Sequence, residues 1–313
     1  MYLGEIIALV VAVSWTATAL FAEVATKRIG QLTMNVLRMV LSLVLLGLTL
    51  LFTTGSPLPL YADGETWMWL SLSGFVGYVL GDYCLFNAYV VIGSRYAQLL
   101  MTLASPFAAL AAWILLGETL SSAAMVGMLV CLTGIGMSVL AKGDAAKGGQ
   151  KMTLKLPLRG VLLGVGAGAG QGVGLVLSKV GMGHYADLLS DADELTVFMM
   201  PFACTMMRAF AGLFCFSSVM LLARQTYRLL PALRDAKAMK AGVGAVVLGP
   251  FIGVSLSLMA VQMAPAGIAQ TLMSLTPVLI LLPTRWLYGT RITLMEFVGA
   301  VLAVLGVSLF FLF

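Results

Sequence analysis

One stretch of the sequence is written twice. Residues 97–140 read AQLLMTLASPFAALAAWILLGETLSSAAMVGMLVCLTGIGMSVL, and residues 269–312 read AQTLMSLTPVLILLPTRWLYGTRITLMEFVGAVLAVLGVSLFFL. Aligned without gaps, they share twelve identities in forty-four positions, where so Leu-rich a composition gives roughly four by chance. Each copy is an apolar run, a corner at Gly117 or Gly289, and a second apolar run in which Gly127 and Gly134 match Gly299 and Gly306. The same offset of 172 residues aligns Gly77 and Gly81 with Gly249 and Gly253. A helical hairpin occurs twice, so the chain reads as two copies of one unit.

The solvent of that unit follows from charge. Charged residues make up 10 % of the chain and apolar residues 61 %. A water-soluble domain carries about 25 % charged residues, so this chain has too few to cover a water-facing surface. The fold class expected is an all-α integral membrane protein. A span needs about twenty apolar residues at 1.5 Å rise each. Ten such runs are present: about 3–26, 32–53, 67–92, two within 97–140, 160–182, 195–223, 241–263, 267–288 and 293–313. The first run is too long for a signal peptide and has no basic segment before it.

Residues 142–159 are polar and basic (KGDAAKGGQKMTLKLPLR) and form the one clear linker. They divide the chain into a first repeat, 1–141, and a second, 160–313. Five spans per repeat is an odd number, so the second copy starts on the opposite side of the membrane. The expected architecture is ten transmembrane helices as two inverted five-helix repeats, with a solute site at the midplane between them. Call the side of the N-terminus side A. Side B then receives Lys27, Arg28, Arg95, Arg285, Arg291 and the Lys and Arg residues of 142–159 and 224–240. Side A receives acids instead: Asp63, Glu65, Glu118, Asp187, Asp191, Asp193 and Glu194. The positive-inside rule makes side B cytoplasmic and puts both termini outside the cell membrane.

Several functions are disfavoured by what these runs contain. Cys84, Cys131, Cys204 and Cys215 lie in apolar runs at spacings that match no zinc pattern, and they read as small packing residues. His184 is the only histidine and has no second ligand nearby, so no metal and no cofactor is expected. The run GVGAGAGQGVG at 164–174 lies inside a span with no strand before it, which rejects a dinucleotide loop in favour of close helix contact. No HExxH, GxSxG or ATP-binding motif is present, so the chain is not expected to be an enzyme. The basic residues sit in short loops between spans, which argues against nucleic acid. The partners expected are a small-molecule solute and membrane lipid, with the chain a monomer or homodimer.

Ionisable groups inside a bilayer are expensive, and each is a candidate functional residue. Glu23, Arg38 and Asp82 lie at comparable depth in the first three spans and are expected to meet in one network. On the functional reading, Asp82 or Glu23 exchanges Arg38 for a proton or a cationic group of the solute, so both are coupling candidates. On the plainer reading, Glu23 and Arg38 form a fixed salt bridge at the cytoplasmic end. Lys179 is close enough to side A to snorkel. Arg208 sits mid-span with no acid near it in sequence; it must face a cavity, a partner across the bundle or an anionic ligand. Among neutral residues the candidates are Trp15, the i, i+4 pair Tyr83 and Asn87, Gln171 and Ser274. Gln98 and Gln270 are repeat-equivalent, and inversion is expected to place them near opposite sides of the membrane. Each has an ordinary alternative as packing or interhelical hydrogen bonding, worth about 0.6 kcal/mol in a membrane.

The hairpin also resembles a known family. Ala97, Pro106, the corner Leu116-Gly117-Glu118-Thr119-Leu120, Gly127 and Gly134, with Ala269, Pro277, Gly289, Gly299 and Gly306 in the second copy, resemble the EamA domain of the drug/metabolite transporter superfamily. The resemblance covers essentially the whole chain as two tandem domains. It departs at Thr290-Arg291, where the family usually has an acid, and at Pro106, displaced by one position from Pro277. Many members are drawn with both termini in the cytoplasm, the reverse of the charge count here. In this family first-span residues line the pocket, which supports Trp15. The resemblance implies transport of a small metabolite, often export. The expected function is a secondary active transporter of a small organic metabolite, an amino-acid-like solute favoured, exporting by alternating access. The alternatives are a facilitative channel or permease and a non-transporting membrane scaffold.

Overall fold

The computed structural model describes residues 2–145, 157–279 and 294–312, and every element in them is helical. In the first half these are α1 (Leu3–Ile29), α2 (Gln31–Thr54), α3 (Gly64–Gly74), a π-helical stretch (Phe75–Asp82), α4 (Tyr83–Met101), α5 (Ala104–Leu116) and α6 (Ser122–Ala145). In the second they are α7 (Leu158–Leu188), α8 (Glu194–Leu222), a 3-10 turn (Thr226–Arg228), α9 (Leu229–Arg234), α10 (Ala236–Val246), a second π-helical stretch (Val247–Val254), α11 (Ser255–Met263), α12 (Ala266–Met273), α13 (Thr276–Leu279) and α14 (Leu294–Leu312).

Seven helical segments are long and apolar enough to cross a bilayer: α1, α2, Gly64–Ala88, Ala97–Leu116, α7, α8 and Ala236–Met263. Two more of the ten expected spans fall on shorter apolar helices, Ser122–Met137 and Phe297–Gly306. The ninth, 267–288, runs out of the described residues after Leu279. The segment 224–240, expected as a loop, contains α9 and the start of α10. Its basic residues are interspersed with Leu and Ala, and Asp235 caps α10 by accepting the Ala238 N–H at 3.0 Å, so it folds as short helices.

Local signals explain the ends. Gly55 and Gly117 take left-handed φ values of 75° and 66° and close α2 and α5, a conformation in which a Cβ is strained. Asp63 and Asp193 cap α3 and α8, each accepting an N–H three residues on.

The repeat of the sequence returns in the structure. α3, the first π-helical stretch and the start of α4 map on α10, the second stretch and the start of α11 at the same 172-residue offset. The first helices match too, at an offset of 156: a Cβ on Gly4 would meet Met263 and Ala264, and one on Gly160 would meet Val91 and Ile92, the equivalents of those two residues. Each half therefore packs its first helix on the other half, α1 on α10–α12 and α7 on α3–α5.

Inversion follows from the direction of packing. α7 runs antiparallel to the chain through Leu70, Gly77 and Cys84, which oppose Gly181, Gly174 and Gly166. It runs parallel to the chain through Leu100, Ala104 and Ala108, which oppose Gly164, Gly168 and Gly172. The chain thus doubles back between Cys84 and Leu100. Thr18 opposes Gly249 and Gly4 opposes Ala264, so α1 runs antiparallel to the α10–α11 span. α1 and α7 begin at opposite ends of the bundle.

Small residues make this closeness possible. A Cβ on Gly174 would lie 2.8 Å from Gly77 Cα, and one on Gly170 2.7 Å from Gly81 Cα, so the backbones touch. In a bilayer, where burial of apolar surface drives little, such contact is what holds helices together. α6 and α14 pack the same way, Gly134 against Ala303 and Gly306 against Cys131. Ser73 adds hydrogen bonds to Gly174 O and Ser178 Oγ, both at 2.6 Å.

Candidate central cavity

The π-helical stretches shape the middle of the bundle. A π turn widens the helix and leaves carbonyls that a regular ladder would use. Gln171 Nε2 donates to Gly77 O at 3.2 Å in the first stretch. Ser14 Oγ donates to Leu248 O at 2.6 Å in the second. Between the stretches lies a cavity of about 130 Å³.

Both halves line it in related pairs. Trp15 and Gln171 are equivalent at the 156 offset, and each packs on the second glycine of the stretch it faces, Gly253 and Gly81. Gln98 and Gln270, then Thr102 and Ser274, are equivalent at 172. Ser274 Oγ donates to Gln270 O at 2.8 Å and shares a hydrogen bond with Ser105 Oγ at 3.0 Å.

The charges break the symmetry. Asp82 ends the first stretch and is 5 % exposed. One carboxylate oxygen pairs with the Arg38 guanidinium, and the other accepts from Gln171 Nε2 at 2.7 Å. Both oxygens are engaged, which is how a carboxylate survives at this depth. The Arg38 guanidinium also lies 5.8 Å from the Tyr78 ring and 5.7 Å from the Phe86 ring, a cation–π cradle that offsets its desolvation. The position equivalent to Asp82 is Val254, which also lines the cavity.

Of the expected site residues, Trp15, Arg38, Asp82, Gln171 and Ser274 meet at this cavity. Tyr83 and Asn87 do not. Tyr83 is 53 % exposed on the outer face, and Asn87 donates to its carbonyl at 2.7 Å. The two share a face of α4, as their i, i+4 spacing predicts, but it is the outward one; Asp82 and Phe86, also i, i+4, line the cavity instead. Arg208 is buried beside the cavity rather than in it, with its guanidinium 4.8 Å from the Tyr78 ring. Its Nε and the Tyr78 hydroxyl have no hydrogen-bond partner among the described residues. The side chain of Glu23 lies outside the described residues. Gln98 and Gln270, expected near opposite sides, line the same cavity. Phe86 is a lining residue that the sequence reading leaves out; its i, i+4 spacing to Asp82, continued back to Tyr78, is the signal that points to it.

Two features lie away from the cavity. Lys179, expected to snorkel, instead pairs with Glu118 at 2.5 Å. Outside the spans, Asp63 is pushed down to about 2, first by the Thr66 N–H, then by the Thr66 hydroxyl and His184. Among the described residues no three of His, Cys, Asp and Glu gather as a metal site.

Comparison with known proteins agrees with this architecture. The EamA-like transporter family matches residues 2–140 and 158–312, one match per repeat. A solved crystal structure of another protein aligns with 99 % of this chain and 96 % of its own, at a TM-score of 0.71 and 17 % identity, a likeness of fold. No curated protein matches the chain. With both halves matched almost end to end and helices built to cross a bilayer, the chain is a multi-pass membrane protein that belongs to the EamA-like transporter family of the drug/metabolite transporter superfamily.

Proposed function

We propose that the protein is a secondary transporter of a small organic solute working by alternating access, with ten spans in two inverted repeats. The observation that carries this reading is the cavity between the two π-helical stretches, walled by equivalent residues of both halves and holding one buried ion pair. On α1 the lining residues run from Trp15 to Ala22, from mid-helix toward side B. With side B cytoplasmic, as the loop charges favour, a solute enters from the cytoplasm and leaves by export, and both termini face outward.

The lining supports an amino-acid-like solute. Gln98, Gln171, Gln270 and Ser274 offer neutral donors and acceptors, and the Arg38–Asp82 pair offers both charges to a zwitterion. Asp82 is the coupling residue: a proton or an ammonium group displaces Arg38 from it during the cycle. The test is counterflow of radiolabelled amino acids in proteoliposomes. Saturable exchange that Asp82→Asn abolishes supports the reading; undiminished proton-driven accumulation by Asp82→Asn removes Asp82 from it. One observation favours a facilitative permease instead: both Asp82 oxygens are already satisfied. Net accumulation against a gradient separates the two.

A further inference from the structure

The side-A end of the bundle is held together by a pair of side chains that no part of the cavity uses. Glu118 follows the left-handed Gly117 at the corner after α5. Its Oε2 accepts the Ala266 N–H at 2.9 Å, at the start of α12. Its Oε1 pairs with Lys179 Nζ, on α7. Lys179 Nζ also donates to Ala264 O at 2.9 Å, at the end of α11. Three chain segments meet here: the corner of the first repeat, the first helix of the second, and the break at Ala264-Pro265 between α11 and α12.

The chemistry fits the break it spans. Ala264 is extended (φ −140°, ψ 158°), so α11 ends with a carbonyl and α12 starts with an N–H that no helix satisfies. A lysine at a helix C-terminus and a carboxylate at a helix N-terminus each complement the local dipole. The two side chains are 19 % and 21 % exposed. Water can reach the two side chains, whereas their backbone partners sit on Ala266, 0 % exposed, and Ala264, 5 % exposed, so parting the pair uncovers a helix break that the closed arrangement shields.

Its position sets its role. The corner after α5 and the α11–α12 break both lie at the end of the bundle where α1 starts, opposite the start of α7. The cavity lining on α1 and α7 begins at Trp15 and Gln171, both nearer side B than Glu118 and Lys179 are. The positions related by the repeat offsets are Glu23 and Thr290, so this Lys–Glu pair is written into one side only.

We propose that Lys179 and Glu118 are a latch that holds the side-A end shut across the two repeats and must part for the cavity to open there. The proposal rests on the alternating-access reading.

The experiment uses the full-length chain with Cys84, Cys131, Cys204 and Cys215 replaced by alanine and a reporter, Ala19→Cys, in the cavity wall. Sealed vesicles of both orientations are treated with a membrane-impermeant maleimide, and the labelling rate is read from each side. The parent is expected to react from side B and hardly from side A. Lys179→Met should raise the side-A rate about tenfold, the scale of one partly exposed, charge-assisted contact set. Glu118→Gln should raise it less, because the amide oxygen still accepts from Ala266. Lys179→Arg should behave as the parent.

Side-A rates within about twofold of the parent in both Lys179→Met and Glu118→Gln overturn the latch. So does a Lys179→Arg variant as open as Lys179→Met, or a parent that labels freely from side A. Glu118→Gln is isosteric and guards against loss of folding in Lys179→Met. Amino-acid flux measured in the same vesicles keeps the readings apart. Altered labelling with no amino-acid flux in any variant, the parent included, overturns the amino-acid reading and leaves the latch; amino-acid flux with unaltered labelling overturns the latch alone.

Discussion

The two π-helical stretches share one backbone and carry different chemistry. Phe75–Asp82 and Val247–Val254 have the same length, each follows an 11-residue helix, and their glycines stand at equivalent places. The first holds Tyr78 and Asp82 where the second holds Pro250 and Val254. The first is met by the Gly-rich face of α7, and the second by Ser14, Trp15 and Thr18 of α1. Duplication preserved the scaffold that frames the cavity, while charge is confined to one copy. Neutral residues suffice to build the fold twice. A buried ion pair, costly to desolvate, is kept only once.

The largest test of that difference makes the first stretch resemble the second. Asp82→Val leaves the Arg38 guanidinium buried with no carboxylate. We expect it to destabilise the protein by about 3–5 kcal/mol, since a lone buried charge costs far more than the pair contributes. Thermal unfolding of the detergent-solubilised protein measures it. Adding Arg38→Met to Asp82→Val should recover most of the lost stability and none of the transport. Equal stability of the single and double variants would mean that the pair is not buried as a unit.

A smaller effect comes from the helix faces. Thr18 and Gly174 are equivalent, but a Cβ at Gly174 would press on Gly77 backbone at 2.8 Å. Gly174→Thr, which copies α1 onto α7, should cost about 1–3 kcal/mol as the helices are forced apart. Gly249→Ala in the other copy meets a side chain rather than backbone, the Thr18 methyl at 2.9 Å, and should cost less, chiefly the hydrogen bond from the Thr18 hydroxyl to Ser14 O if that side chain turns. The same unfolding measurement ranks the two, and a reversed order would show that α1 packs more tightly than α7.

The smallest effects concern the equivalent caps Asp63 and Asp235. Both carboxylates are held below the ordinary range, Asp63 first by the Thr66 N–H and Asp235 first by its hydrogen bond to Arg28, 2.8 Å away. A lowered carboxylate pKa gives stability that is present above the unfolded value, near 3.8, and is lost as pH falls toward the folded one, about 2 for Asp63. Salt should weaken the Asp235 contribution most, because its first cause is an exposed ion pair; at Asp63 it should weaken only the His184 part, 3.1 Å away, and spare the hydrogen bond from the Thr66 N–H. Melting temperatures of Asp63→Asn and Asp235→Asn at low and high salt, above pH 4, read this directly.

Much of the bundle was legible before any coordinates. The repeated hairpin announced two copies, and the expectation of five spans in each implied inversion, because crossing a membrane an odd number of times leaves no choice of side; the packing directions of α1 and α7 are what show it. Arg38 and Asp82 were legible as partners because a charge in a bilayer must find one. The i, i+4 spacing of Tyr83 and Asn87 gives them a shared face of α4 but not its direction, which depends on the π turns upstream, and nothing in FVGYVLGD states that the helix widens there. Lys179 was read alone, since Glu118 lies 61 residues away and only packing brings the corner of one repeat against a helix of the other.

The sequence by itself determined the solvent, the duplication and the price of each buried charge, because composition, period and desolvation act residue by residue. The tertiary structure decided which half each first helix packs on, the phase of the helix at Asp82, and the meeting of Glu118, Lys179 and Ala266. Those depend on how glycine-lined backbones approach one another in three dimensions, and approach of that kind is a property of pairs of helices that no single stretch encodes.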